Sequence, residues 1–88
     1  MKEIESDNAK ADVCLKTGND LVKLKKYNEA IVEYRKAIEI NTNFSAAYYN
    51  RGLVEIVLGL KEEGCMDLRK AAELGEKEAN KMIQKYCN

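Results

Sequence analysis

The sequence holds no histidine, no tryptophan and no proline. Without histidine there is no Ser-His-Asp or Cys-His catalytic set, and the commonest ligand of zinc sites is missing. No glycine-rich or low-complexity stretch marks a linker, and no alternating β-branched run reads as a strand. Net charge is zero, with 15 basic and 15 acidic residues interspersed. A basic stripe of the kind that binds nucleic acid is absent, so nucleic acid is not an expected partner. No apolar run approaches the roughly 20 residues a membrane span needs, so no membrane partner is expected either. Residues 1–10 are polar and charged, unlike a signal-peptide core, which makes the cytoplasm the expected location. The cysteines are Cys14, Cys65 and Cys87. Their number is odd and no pair is spaced Cys-x-x-Cys, so the expectation is reduced thiols in a reducing compartment. Cys14 and Cys65 fall where a small apolar residue would pack. Cys87, near the end, is expected to be accessible and open to adventitious dimerisation in air.

What the chain does have is an internal repeat. Arg35-Lys36-Ala37-Ile38-Glu39-Ile40 returns as Arg69-Lys70-Ala71-Ala72-Glu73-Leu74, an offset of 34 residues. At the same offset Gly18 falls on Gly52, Leu24 on Leu58 and Glu29 on Glu63, while Val22 meets Ile56 and Tyr34 meets Leu68. A period near 34 is the mark of stacked helix–turn–helix units, each needing a neighbour to bury its apolar face.

Hydrophobic spacing predicts five helices. The first runs from about Asn8 to Leu24, capped by Ser6 or Asp7 after a frayed lead-in, with Ala11, Cys14, Gly18, Leu21 and Val22 on one face. Lys25-Lys26 place positive charge at its C-terminal end. The second starts near Asn28 as N-cap and carries a stripe of Ala30, Ile31, Tyr34, Ala37, Ile38 and Ile40. Asn41-Thr42-Asn43 reads as a turn. The third covers about Phe44 to Leu58 and stops at Gly59. The fourth covers about Lys61 to Leu74, repeats the small–large–small pattern in Gly64, Leu68 and Ala71, and ends at Gly75. The last, about Lys77 to Tyr86, buries Ala79, Met82, Ile83 and Tyr86 and turns Lys77, Lys81, Gln84 and Lys85 to water. The fold class is all-α: two helical hairpins and a terminal helix.

These residues resemble the tetratricopeptide repeat. Gly18, Leu21, Tyr27, Ala30, Tyr34 and Ala37 match its small and large positions in the first unit, and Tyr48, Gly52, Gly64, Leu68 and Ala71 do so in the second. The match covers residues 11–75. Thr42 and Glu76 replace the family's usual proline, Cys14 stands where a bulky residue is common, and Glu55 stands where the first unit has Leu21. Residues 71–79 also look like the related Sel1-type repeat, with a shorter glycine turn. The resemblance implies an α-α superhelix, with a lead-in over 1–10, units at 11–44 and 45–78, and a capping helix over 79–88.

It also implies a concave face that binds an extended or helical peptide. Lys16, Asn19 and Lys23 of the first helix would line it, with Tyr49, Asn50, Leu53, Ile56 and Val57 of the third. Some relatives grip the C-terminal carboxylate of heat-shock chaperones with asparagines at the places of Asn19 and Asn50. Here the first lysine of that clamp is replaced by Leu15, and its later lysine and arginine have no clear counterpart. The bland reading of Asn19 and Asn50 is that they bridge adjacent helices or face solvent.

Leu53, Val54, Ile56, Val57 and Leu58 make the third helix apolar nearly all round. Either the first and fifth helices cover it, or Tyr49, Leu53, Ile56 and Val57 form an exposed patch. Its partner would be an apolar peptide face or a second copy of the chain, giving a homodimer. Two hairpins are fewer than the roughly three repeats such arrays need, which points to self-association or to a larger protein. Glu62-Glu63 and Glu76 with Glu78 sit at helix starts, where negative charge favours the dipole, and not beside a second catalytic group. Arg35-Lys36 and Arg69-Lys70, with Glu33, Glu39, Asp67 and Glu73, read as a solvated, salt-bridged face. The expected function is therefore protein–protein interaction without catalysis, cofactor or metal. The alternative is an oligomerising scaffold segment whose apolar groove is buried by self-association.

Overall fold

The computed structural model describes residues 2–88, with side chains from residue 8 onward. Five α-helices follow in order: α1 (Lys2–Lys23), α2 (Tyr27–Ile40), α3 (Ser45–Val57), α4 (Lys61–Glu73) and α5 (Glu78–Tyr86). Among the described residues there is no strand. α1 begins earlier than its sequence signals suggested, so Ser6 and Asp7 lie within the helix, and their side chains are outside the described ones. α2 likewise begins at Tyr27, and Asn28 lies inside it; the N-cap is Lys26, with no side-chain cap bond.

The reason is the way α1 closes. Lys25 adopts φ 61°, and the Lys26 N–H donates to the Leu21 carbonyl at 2.8 Å. This is a left-handed helix stop, and the reversed chain enters α2 directly. The same closure recurs at Gly59 (φ 83°) and Gly75 (φ 103°), with Leu60 N–H on the Glu55 carbonyl and Glu76 N–H on that of Ala71. Lys25 holds the place that Gly59 holds one repeat later. Between hairpins, Asn41 caps α2 in an extended conformation and its side-chain oxygen accepts the Asn43 N–H at 3.1 Å. Four residues separate α4 from α5, as they do α2 from α3, so the expected shortening of the last turn is not seen.

The helices pair as α1·α2 and α3·α4; α2 packs on α3 and α5 on α4. The small–large–small pattern drives both hairpins. Ala30, Tyr34 and Ala37 are fully buried in one, Leu68 and Ala71 in the other. Truncating a large side chain at such a site costs roughly 2–5 kcal/mol, because the cavity closes only in part. Gly52 and Gly64 bring α3 and α4 together: a Cβ on Gly64 would stand 2.8 Å from the Gly52 carbonyl oxygen. Two apolar clusters result. Ala30, Tyr34 and Val54 gather Leu15, Leu21 and Val22, while Leu68, Ala71 and Ala79 gather Tyr48, Tyr49, Leu53 and Ile56. α3 belongs to both, and its cover is mainly α2 and α4, not the first and fifth helices. Two stripe residues expected inside, Ile40 and Tyr86, are at the surface.

Cys65 and Cys87 form a disulfide, with Cα atoms 5.8 Å apart. This corrects the expectation of reduced thiols: α5 folds back along α4 and delivers Cys87 to Cys65, a meeting that a 22-residue separation does not announce. Cys14 is free and partly buried. The whole spans 43 × 28 × 16 Å along its principal axes, a slab about two packed helices thick.

Candidate functional site

Asn19 sits on α1 one turn beyond Leu15, at the seam between the hairpins. Its Oδ1 accepts two hydrogen bonds, from the Tyr34 hydroxyl at 2.6 Å and from Asn50 Nδ2 at 3.0 Å. One oxygen thus ties α1 to its partner α2 and to α3 of the next hairpin. Burial pushes the Tyr34 hydroxyl up to about 12, so it remains a donor at any physiological pH. Both bonds spend the Asn19 carbonyl and one Asn50 donor. Asn19 Nδ2 and Asn50 Oδ1 have no side-chain partner among the described residues. One amide donor and one amide acceptor therefore remain unspent, the two kinds of group that a peptide unit's C=O and N–H require.

An open pocket of about 250 Å³ lies over this pair, lined by Asn19, Val22, Lys23, Tyr34, Asn50, Leu53 and Val54. A second, of about 390 Å³, lies over Asp12, Val13, Leu15, Lys16 and Asn19. Asn19 lines both, so they adjoin along α1. From Asp12 to Lys23 the helix rises about 16 Å, the span of roughly five extended residues.

Of the residues expected from sequence, Asn19, Lys23, Asn50 and Leu53 share the smaller pocket and Lys16 lines the adjoining one. Tyr49 and Ile56 are half-buried and pack on the Leu68 cluster; Ile56 lies over Gly64. The Tyr49 hydroxyl is shifted up by burial, with Glu78 and Glu76 adding to it. Val57 is 62% exposed and lies outside both pockets.

Sequence reasoning missed a polar cluster between α3 and α4. Arg51 donates two bonds to Asp67, Nε to Oδ2 at 2.7 Å and Nη2 to Oδ1 at 2.9 Å. Glu55 lies 3.8 Å from Arg51 Nε. Asp67, expected on a solvated face, is only 8% exposed, as is Glu55. Burial and the adjacent Asp67 push the Glu55 carboxyl up to about 8, against the pull of Arg51. The usable signal was Glu55 in the place of Leu21 together with Arg51 one turn before it. Arg35, Lys36, Arg69 and Lys70 are exposed, as expected. Among the described residues no group of Cys, Asp and Glu is placed to hold a metal ion, and no helix is long and apolar enough to cross a membrane.

Residues 18–55 match the family described as TPR repeat. Sperm-associated antigen 1 of Rattus norvegicus is 42% identical over 60 residues, which is 68% of this chain and 7% of that protein. Hsp70-Hsp90 organizing protein 1 of Glycine max is 39% identical over 77 residues, 83% of this chain and 14% of that protein. This chain therefore spans a small fraction of the length of these relatives. Among solved structures, YrrB, a TPR protein with an unusual peptide-binding site, superposes with a TM-score of 0.74 at 28% identity, covering 84% of this chain and 38% of that one. The repeat period, the paired helices and these similarities identify the tetratricopeptide-repeat fold.

Proposed function

We propose that this chain is a protein–protein interaction module that holds a peptide segment against α1 and α3. The observation that carries the reading is the Asn19–Asn50 pair, tied to Tyr34 and lining a pocket with Val22, Leu53 and Val54, with one amide donor and one acceptor left for a peptide. Leu53 and Val22 supply the apolar contact, while Lys16 and Lys23 favour an acidic flank on the peptide. Tyr49 and Ile56 shape the wall through the Leu68 cluster. Similarity to a TPR protein with a peptide-binding site and to an Hsp70-Hsp90 organizing protein supports this class of function. A cytoplasmic setting and the absence of catalysis belong to the same reading.

The test is a peptide array of varied sequence, probed with wild type and with Asn50→Ala. That substitution leaves the Tyr34–Asn19 bond in place, and circular dichroism verifies the fold. Loss of one or two hydrogen bonds should weaken retained peptides roughly 5- to 30-fold. Equal retention by both proteins, or none by either, would sink the groove. A second reading, self-association, is favoured by Val57 and Met66, which are 62% and 68% exposed. It requires a mass in solution that rises with concentration.

A further inference from the structure

We propose that the Cys65–Cys87 disulfide is a redox latch: a small thiol opens it, and α5 then detaches from the second hairpin. Three observations converge on this. The first is the weakness of α5 by itself. It has nine residues, below the roughly 12–15 that an isolated helix needs. Its attachment rests on fully buried Ala79, with partly buried Met82, Ile83 and Cys87 beside it on the Leu68 and Ala71 cluster. The second is where the bond lies. It ties the end of α5 to the first turns of α4, closing a segment of 22 residues. Closure of a loop that size favours the docked state by roughly a hundredfold through lost chain entropy.

The third is access. The bond borders an open pocket of about 490 Å³ lined by Lys61, Glu62, Cys65, Met66, Arg69 and Cys87. Within it the two cysteines are unequal: Cys65 is 4% exposed, whereas Cys87 is partly exposed. Lys61 and Arg69 outnumber Glu62 in the lining, and the net positive charge suits an approaching thiolate and stabilises thiolate leaving groups. Lys61 Nζ also donates to the Asn88 carbonyl at 3.1 Å, so the cation is held near the bond.

The chemistry is two thiol–disulfide exchanges. A thiolate of a small monothiol attacks Sγ of Cys87; the S–S bond breaks, and its electron pair leaves on Sγ of Cys65, which takes up a proton. A second thiolate attacks the external sulfur of the mixed disulfide. Cys87 leaves as thiolate and is protonated, and the monothiol departs as its own disulfide. Two electrons and two protons reach the protein. In an oxidising setting the latch is closed and Leu68 and Ala71 are covered. In a reducing setting it is open, and the outer face of α4 becomes available.

The experiment takes wild type and Cys87→Ser, equilibrated in oxidised or reduced glutathione. Thiol labelling counts free cysteines, and hydrogen exchange follows each helix. Oxidised wild type should label once, at Cys14, and reduced wild type three times. On reduction the amides of residues 79–87 should exchange faster, by up to about a hundredfold, while α1 to α4 keep their protection. Cys87→Ser should show the fast α5 in both buffers. Three labelled thiols in oxidised wild type would overturn the proposal, as would unchanged α5 exchange in protein that labelling shows to be reduced. Loss of protection throughout α1 to α4 on reduction would make the bond a staple of the whole fold, and would overturn it equally.

Discussion

At the scale of single residues, Glu55 is the most consequential departure from the repeat. Its carboxyl, ordinarily at 4.5, is pushed up to about 8 mainly by burial, and Asp67 and Glu63 add to the shift while Arg51 opposes it. Between those values the folded chain holds a proton that the unfolded chain releases. The stabilisation is therefore complete below about pH 4.5 and is lost as the pH rises through about 8. Glu55 Oε1 is buried without a partner, a further cost of keeping a carboxylate there. Glu55→Gln preserves shape and removes the titration. Its stability in urea should change less between pH 5 and pH 9 than that of wild type, and at pH 9 it should exceed wild type by about 2 kcal/mol. A variant that tracks wild type across that range would refute the assignment. The sequence showed Glu55 in the place of an apolar residue, but not what surrounds it. Asp67 occupies the repeat position of Glu33, which pairs with Lys36 on its own helix. Asp67 instead bonds to Arg51, where the first unit has Thr17.

Between elements, the α3–α4 contact shows where repeat logic stops. Gly64 stands at the position of Ala30, so an alanine there looks harmless by sequence. Alanine also gains up to about 1 kcal/mol of helix propensity over glycine. The geometry says otherwise. A Cβ on Gly64 meets the Gly52 carbonyl oxygen at 2.8 Å and the Ile56 side chain at 2.9 Å, and a backbone oxygen cannot rotate away. Gly64→Ala should therefore destabilise by a net 1–3 kcal/mol, roughly, read as a lower urea midpoint. A neutral or stabilised variant would show that the two helices part freely. Element type, order and most stripe positions were legible because one amphipathic period runs through each hairpin. Helix starts were less so, because Lys25 in a left-handed conformation carries no local signal. It becomes visible only when aligned with Gly59. The groove was legible in part: Asn19 and Asn50 could be aligned with a family, but their shared oxygen depends on how two hairpins tilt.

As a whole, the molecule is a thin stack, and few side chains are far from water. Among the described residues ten apolar ones carry the buried core, spread along the 43 Å length instead of gathered at a centre. Such a stack has no deep interior to resist separation of its units, so what crosses the seams matters most: Asn19 between the hairpins and the sulfur bridge at the far end. The bridge also has a mechanical meaning. Pulled by its two ends, the oxidised chain transmits tension from Cys65 straight to Cys87, and the segment between them bears none. That segment of 22 residues corresponds to roughly 75 Å of extended backbone. Stretched singly in an optical trap, the oxidised chain should reach a contour length shorter than the reduced one by about that amount. Equal lengths would mean that no covalent shortcut exists. Under load, then, about the last quarter of the polypeptide is hidden length, released by a change of redox state and not by force.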